Sequence, residues 1–198
     1  MLKRFLVTLV VLVGAIGGVW VIGVTKGTGV APLPDTGLSY QKPSQFKELL
    51  APVYLPPKTI NIPKLGLNRE ISVVGVVEGR IGVPADWQGV GYFSGSSKVG
   101  ENGNTIIVGH LDDNLGRPAA FWAISSLAAG DEIILGDGHR SFTYRVLESA
   151  FVPDGSGEVL QEGLGGPGLI LVTCGGTWSM VTHSYSQRLL VKARLVGG

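Results

Sequence analysis

The chain has very little cysteine and little charge. Cys174 is the single cysteine among 198 residues, so no disulfide can form within the chain. Charged residues make up 16% of the sequence, below the roughly 25% that is usual for soluble domains. The formal net charge is only +1, which gives no overall attraction to nucleic acid. The thiol therefore needs an explanation other than a disulfide scaffold.

Part of the charge deficit lies near the N-terminus. Residues 5–25 carry no charged side chain and, as a helix, would cover roughly 30 Å. Lys3 and Arg4 precede them, so the positive-inside rule assigns residues 1–4 to the cytoplasm and the remainder to the outside. We predict a single-pass transmembrane anchor at residues 5–25, in the cell membrane. A cleaved signal peptide is the alternative, although the stretch is long for one and lacks a small-x-small cleavage site.

The rest of the chain divides into a linker and a β-rich domain. Residues 26–57 are rich in proline and glycine without sustained periodicity, which is typical of a linker. From residue 58, short apolar runs alternate with turn residues, which predicts a mainly β fold, a barrel or sandwich, over residues 58–198. The predicted strands are 59–63, 71–77, 80–83, 91–94, 105–110, 132–135, 141–152, 169–174 and 188–196. The segments 118–125 and 157–162 have the pattern of short helices.

Three of these strand ends carry groups suited to acyl transfer. His110 closes one run, Cys174 closes another, and Arg188 opens the last. A free thiol has a pKa near 8.5 and needs help to become a thiolate. A histidine can share that proton and later return it to a leaving amine. An arginine supplies fixed cationic donors for a substrate carbonyl or a developing oxyanion.

Each of these residues also has a simpler interpretation. A free cysteine is often only a small buried hydrophobe, and His110 and Arg188 could be ordinary residues at strand ends. His183 lies closer to the cysteine in sequence and is a weaker second candidate. The Asp112-Asp113 pair either orients the His110 imidazole or begins a turn. We predict no metal site and no cofactor, because no further ligand cluster accompanies these groups.

Several motifs resemble those of one family. Leu171-Val172-Thr173-Cys174 resembles the Thr-Leu-x-Thr-Cys signature of sortases, which are membrane-anchored cysteine transpeptidases; Ile170 replaces the first threonine. Val108-Gly109-His110 is similar to the strand of the catalytic histidine, and Arg188 falls where the catalytic arginine is expected. The resemblance covers about residues 59–196, and the flanking segments 83–87, 90–93, 109–112 and 173–176 are most similar to class F sortases.

The resemblance implies a fold and an activity. The fold would be a closed eight-stranded β-barrel with short helices and a peptide groove lined by His110, Cys174 and Arg188. Cys174 would cleave LPxTG-like sorting signals of surface proteins between Thr and Gly, through a thioester. An amine from a cell-wall precursor or another protein, or water, would then take the acyl group. From the same motif, Thr173 is expected to bind substrate.

Two other functions remain open from the sequence. One is a tethered β-domain without catalytic activity that binds a surface polymer or protein. The other is a different exported cysteine peptidase, although the Ser-x-Gly-Cys motif of L,D-transpeptidases and the cysteine-before-histidine order of papain-like enzymes are not found.

The linker contains a pentapeptide of the sorting type, Leu33-Pro34-Asp35-Thr36-Gly37. In ordinary sorting substrates the apolar segment follows the pentapeptide, whereas here it precedes it. Residues 38–57 could extend up to about 70 Å, enough to fold back to a groove on the same chain. Self-occlusion or self-cleavage after Thr36 is therefore one hypothesis, and coincidence in a permissive linker is the other.

Overall fold

The computed structural model describes residues 11–13, 19–21 and 52–198. In the first unit, strands β1 (Val11–Val13) and β2 (Val19–Val21) pair antiparallel. These six residues belong to the predicted membrane helix and are strands instead, which agrees with the β preference of their valines. The rest of the predicted anchor and residues 26–51, including Leu33–Gly37, lie outside the described residues. No helix in the described part of the chain is long and apolar enough to cross a membrane.

Residues 52–198 form a second unit built on a closed barrel of eight strands. In chain order the strands of this unit are β3 (Thr59–Ile62), β4 (Leu67–Val74), β5 (Val76–Val77), β6 (Arg80–Ile81), β7 (Val90–Phe93), β8 (Asn104–Gly109), β9 (Glu132–Gly136), β10 (Ser141–Pro153), β11 (Gly168–Ser179) and β12 (Ser184–Gly197). The barrel order is β10-β12-β11-β8-β7-β4-β3-β9, and β9 closes the barrel on β10, while β5 and β6 form a separate hairpin. The predicted mainly β, closed eight-stranded fold is confirmed.

Alternate residues of the barrel strands fill one core. On β11, Leu169 and Leu171 are fully buried, and on β12 Leu189, Val191 and Ala193 are at most 3% exposed. Burying such a side chain contributes roughly 1.5–3 kcal/mol, which fixes which face of each strand points inward. Because side chains alternate along a strand, residues 174 and 188 must then lie on the outer face of the barrel.

The register of three neighbouring strands brings distant parts of the chain together. β8 and β11 run parallel, with Val108 opposite Val172. β11 and β12 run antiparallel, with Cys174 opposite Arg188. Two residues beyond the Val108–Val172 pair, His110 follows β8 at the level of Cys174 on β11. The sheet thus aligns all three predicted site residues at one end of adjacent strands.

The two predicted short helices are both of the 3₁₀ type, and the first is shorter and lies later in the chain than predicted. The segment 118–125 forms turns and the start of a 3₁₀ helix at Ile124–Ser126, and the second forms a 3₁₀ helix at Gly157–Gln161. A third 3₁₀ helix covers Pro63–Leu65. In the first segment the backbone N–H of Ala119 donates to the carbonyl of Leu111, and that of Phe121 donates to the carbonyl of His110. These long-range bonds replace a helical ladder, which so short a segment cannot sustain alone.

Candidate active site

Cys174, His110 and Arg188 border one groove on the outer surface of the barrel. The groove has a volume of about 450 Å³. Its floor includes the apolar side chains of Val108, Val172 and Leu190, which alternate with the core residues of their strands. The β5–β6 hairpin and residues 152–157 form its walls. The arrangement offers an apolar channel beside a thiol, an imidazole and a guanidinium.

The Cys174 thiol is half-buried, and several groups act on its acidity. Burial is the largest effect and raises the pKa of Cys174. The Arg188 guanidinium acts in the opposite direction, while the carboxylates of Asp112 and Asp154 raise the pKa further. The resting thiol is therefore protonated at neutral pH, and attack requires a base or a bound substrate that changes this balance.

His110 is held by two contacts from the loop between β6 and β7. Its Nε2 lies 2.8 Å from the carbonyl oxygen of Pro84. A carbonyl can only accept, so this bond fixes a proton on Nε2. The Trp87 ring lies against the imidazole, with 4.5 Å between ring centroids and a tilt of 59°. Because Nε2 is occupied, Nδ1 is the nitrogen that remains to exchange a proton with a reacting group.

Arg188 is fixed by an ion pair and by its own strand. Its Nη2 lies 3.0 Å from Oδ1 of Asp154, and its Nη1 donates to the carbonyls of Gln187 and Tyr185 at 3.0 and 3.3 Å. The second oxygen of Asp154 accepts from Nη2 of Arg80 at 2.7 Å. Within residues 52–198 these contacts leave Nε–H and one Nη2 hydrogen of Arg188 for a ligand. One carboxylate thus joins the β5–β6 hairpin to the arginine of the site.

A second polar contact near Cys174 joins Tyr185 to Asp112. The Tyr185 hydroxyl donates a hydrogen bond to the Asp112 carboxylate. This bond, reinforced by burial, raises the pKa of Tyr185 to about 12, so the phenol remains the donor at physiological pH. Asp113 begins a turn by accepting from the backbone N–H groups of Leu115 and Arg117. Of the two roles left open for the aspartate pair, the turn is therefore observed, at Asp113.

Thr173 and His183 occupy different surroundings from the other predicted residues. The Thr173 side chain faces the core, is 2% exposed, and has no hydrogen-bond partner for its hydroxyl. Only its backbone is available to a peptide in the groove, so its role in substrate binding stays a prediction. His183 lies in the turn between β11 and β12 with a φ of 48°, and its ring contacts Trp178 edge-on. It does not line the groove.

The sequence interpretation did not identify Asp154, Tyr185, Pro84 or Trp87 as parts of the site. Asp154 lies just beyond β10, and Val152, two residues before it, pairs with Arg188 across the sheet. This register could not be derived without knowing the strand order. In the sequence, only a resemblance to sortases singles out the Pro84-Ala85-Asp86-Trp87 segment. Among the described residues no group of three or more metal-ligating side chains comes together.

Residues 60–196 match the family model described as "Sortase domain". This match covers the barrel except for its two end residues, Thr59 and Gly197, and includes every residue of the groove. No curated protein matches the chain.

Solved structures with the same fold include several sortases. A sortase D transpeptidase of Clostridium perfringens is 25% identical, with a TM-score of 0.56, over 80% of this chain and 91% of that one. A mutant of sortase E from Streptomyces avermitilis is also 25% identical, with a TM-score of 0.54 and coverage of 74% and 91%. The SrtA sortase of Actinomyces oris shares the fold at 22% identity, with a TM-score of 0.57 and coverage of 74% and 83%. These labels are not class F, so similarity to that class stays a prediction.

Proposed function

This chain belongs to the sortase family, and from that premise we propose that it is a membrane-anchored cysteine transpeptidase acting on LPxTG-like sorting signals. The observation that supports this most is the alignment of three strand ends at one groove. Cys174 and Arg188 are directly opposite in the sheet, and His110 follows the parallel neighbour strand. The apolar groove beside them suits the leucine and proline of such a signal.

Acylation would begin with the thiol and the imidazole. A substrate in the groove lies beside Arg188, whose free donors hold the peptide carbonyls and stabilise the oxyanion formed at the scissile carbonyl. Nδ1 of His110 takes the thiol proton as the sulfur of Cys174 attacks the threonine carbonyl carbon, and the C–S bond forms. His110 passes a proton from Nδ1 to the departing glycine amine. The C–N bond breaks, and the thioester remains on Cys174.

In deacylation the proton would move in the opposite direction, from the attacking group to His110. An amine from a cell-wall precursor or another protein attacks the thioester, and His110 accepts the proton that the amine loses. The C–S bond breaks and the thiolate returns. Water in place of the amine gives hydrolysis, the reaction of a cysteine peptidase. The proposed partners are therefore a sorting-signal peptide and an amine acceptor.

The N-terminal sequence supports a location of the protein in the cell membrane. The uncharged stretch at residues 5–25, preceded by Lys3 and Arg4, supports a single-pass anchor with the catalytic domain outside. Fractionation of cells that produce the tagged full chain tests this proposal. The protein is expected in the membrane fraction, and protease added to cells stripped of their wall should digest the barrel. Recovery of the full chain in the soluble fraction would contradict the anchor.

The pentapeptide Leu33–Gly37 is proposed as an internal substrate. Cleavage between Thr36 and Gly37 by the same or another copy would create a new N-terminus at Gly37. N-terminal sequencing and intact mass of the purified full chain measure this directly, with Cys174→Ala as the control. An intact N-terminus in both proteins would contradict self-cleavage.

The transpeptidase proposal is tested with a soluble domain from about residue 52 and a fluorogenic LPxTG peptide. Cleavage should depend on Cys174, His110 and Arg188, and an added amine should appear in the product. A folded domain that neither cleaves the peptide nor forms an adduct with it would favour the tethered binding domain instead.

A further inference from the structure

We infer that Asp112, Tyr185 and Trp178 form a subsite for the acceptor, which recognises it as a primary ammonium group such as a lysine side chain or an amino terminus. The inference rests on the proposed function, because it assigns a place to the second substrate of that reaction. It concerns a surface that is separate from the peptide groove.

The position of these residues suits the second substrate. None of the three lines the groove, whose walls are the β5–β6 hairpin and residues 152–157. Asp112 follows His110 by two residues, and Tyr185 lies on β12 three residues before Arg188. The Asp112 carboxylate is close enough to Cys174 to raise the pKa of the thiol. An acceptor held here would therefore approach the thioester from the side of His110, while the acyl peptide occupies the groove.

The charge at this surface lacks a partner from the protein itself. Asp112 takes part in no ion pair within residues 52–198, whereas the adjacent Asp113 is paired with Arg117 at 2.7 Å. The Tyr185 hydroxyl donates to Oδ2 of Asp112, which orients the carboxylate without neutralising it. A half-buried carboxylate beside a reactive centre is a strong acceptor for an ammonium donor. The site thus has the charge that selects a cationic amine.

Two aromatic rings complete the surface. Trp178 packs edge-on against Tyr185, with 5.2 Å between centroids and an angle of 65°, and 45% of Trp178 remains exposed. A partly exposed indole that packs against the phenol bound to Asp112 can attract an ammonium group through cation–π interaction. The phenol that binds the carboxylate is the same ring that contacts the indole, so the three side chains form one continuous surface.

A bulge in the β11–β12 hairpin fixes this geometry. The register shifts between Gly175 and Trp178, and Gly176 has a φ of 75°. A side chain at Gly176 would lie 2.5 Å from the Ser186 hydroxyl oxygen, which itself accepts a hydrogen bond from the Thr177 backbone at 3.0 Å. Only glycine fits there, and such bulges re-aim side chains beside active sites.

An acceptor bound at this subsite reacts as a neutral amine. The bound ammonium group loses one proton to solvent, and the resulting amine attacks the thioester carbonyl. The N–C bond forms, the amine gives its second proton to His110, and the C–S bond breaks to leave the Cys174 thiolate. The products are an amide, the Cys174 thiolate and the His110 imidazolium, and the imidazolium proton then returns to the sulfur to restore the resting thiol.

The experiment is a competition between two nucleophiles for one thioester. The domain receives an LPxTG peptide together with Nα-acetyl-lysine amide, which is cationic at pH 7, and hydroxylamine, which is uncharged. Mass spectrometry gives the ratio of lysine product to hydroxamate. Because both nucleophiles draw on the same intermediate, changes in the rate of acylation cancel from this ratio.

The inference predicts that Asp112→Asn lowers the ratio about tenfold, the effect of losing one charge-assisted bond of about 1.4 kcal/mol. Trp178→Ala, at an exposed position, should lower it severalfold, and the matched control Glu70→Gln, an exposed carboxylate on β4, should leave it unchanged. A ratio that stays within twofold of the wild-type value in both Asp112→Asn and Trp178→Ala would overturn the inference. Absence of both products from the wild type would instead refute the proposed function.

Discussion

Replacing Gly109 with alanine would drive a methyl group into the ring of Phe121. An ideal Cβ at this position lies 2.7 Å from Cγ and 2.8 Å from Cδ2 of that ring, whereas carbon atoms in contact prefer about 3.5–4.0 Å. Phe121 is fully buried, so its ring cannot move aside without disturbing the core. Gly109 is also the last residue of β8, immediately before His110.

The magnitude follows from the cost of overpacking a filled core, which is about 1–3 kcal/mol. For a domain of this size, that loss lowers the melting temperature by about 3–10 °C. The catalytic effect is expected to be larger. The Phe121 backbone N–H donates to the His110 carbonyl at 2.8 Å, so displacing Phe121 also displaces His110. A misplacement near 1 Å costs up to about 100-fold in rate, and we expect at least a tenfold loss of peptide cleavage.

Urea denaturation and peptide cleavage, measured on the same preparation, test both effects. Gly75→Ala is the matched control, because a Cβ there meets nothing within 4 Å and the change should stay within about 0.5 kcal/mol. A Gly109→Ala protein with an unchanged denaturation midpoint and cleavage within twofold of the wild type would refute the reasoning.

Two further predictions concern carboxylates. Asp154→Asn removes a charge that raises the pKa of Cys174, so the pH profile of iodoacetamide alkylation should shift to lower pH. Peptide cleavage should fall, because Arg188 loses its ion pair. An alkylation profile that shifts to higher pH or stays fixed would contradict this prediction. Burial opposes ionisation of Asp137, but bonds from the backbone N–H groups of Arg140 and His139 and from the Arg140 side chain hold its pKa below the ordinary value. Its stabilising effect is then present above about pH 4 and is lost as the pH falls through its lowered pKa. The melting-temperature difference between wild type and Asp137→Asn should therefore be smaller at pH 3 than at pH 7, and equal differences at the two pH values would contradict this prediction.

The barrel strands could be predicted because each is a short apolar or alternating run between turn residues. β8 and β10 start and end within one residue of their predicted bounds. β11 and β12 are longer than predicted, since Gly175-Gly176 has the pattern of a strand end but forms a bulge within a long hairpin. The helix predicted at residues 118–125 begins only at Ile124, because the backbone before it bonds to the carbonyls of His110 and Leu111, which no local pattern reveals.

The candidate site was only partly predictable for a similar reason. The strand-end positions of His110, Cys174 and Arg188 are visible in the sequence, and the sortase motifs single them out. The partners that orient them are not. Asp154 reaches Arg188 through the β10–β12 register, and Tyr185 reaches Asp112 across 73 residues of chain. Such contacts depend on strand order, which periodicity does not specify.

The most direct test of the central claim is mass spectrometry of the domain after it is mixed with an LPxTG peptide and quenched in acid. Wild type should carry the acyl fragment ending in threonine as a thioester on Cys174, and hydroxylamine should release it. Cys174→Ala should carry no adduct, and His110→Ala and Arg188→Ala should form it about 100-fold more slowly or slower still. Cleavage of the peptide by Cys174→Ala at the wild-type rate, or an adduct on any other residue, would contradict the account.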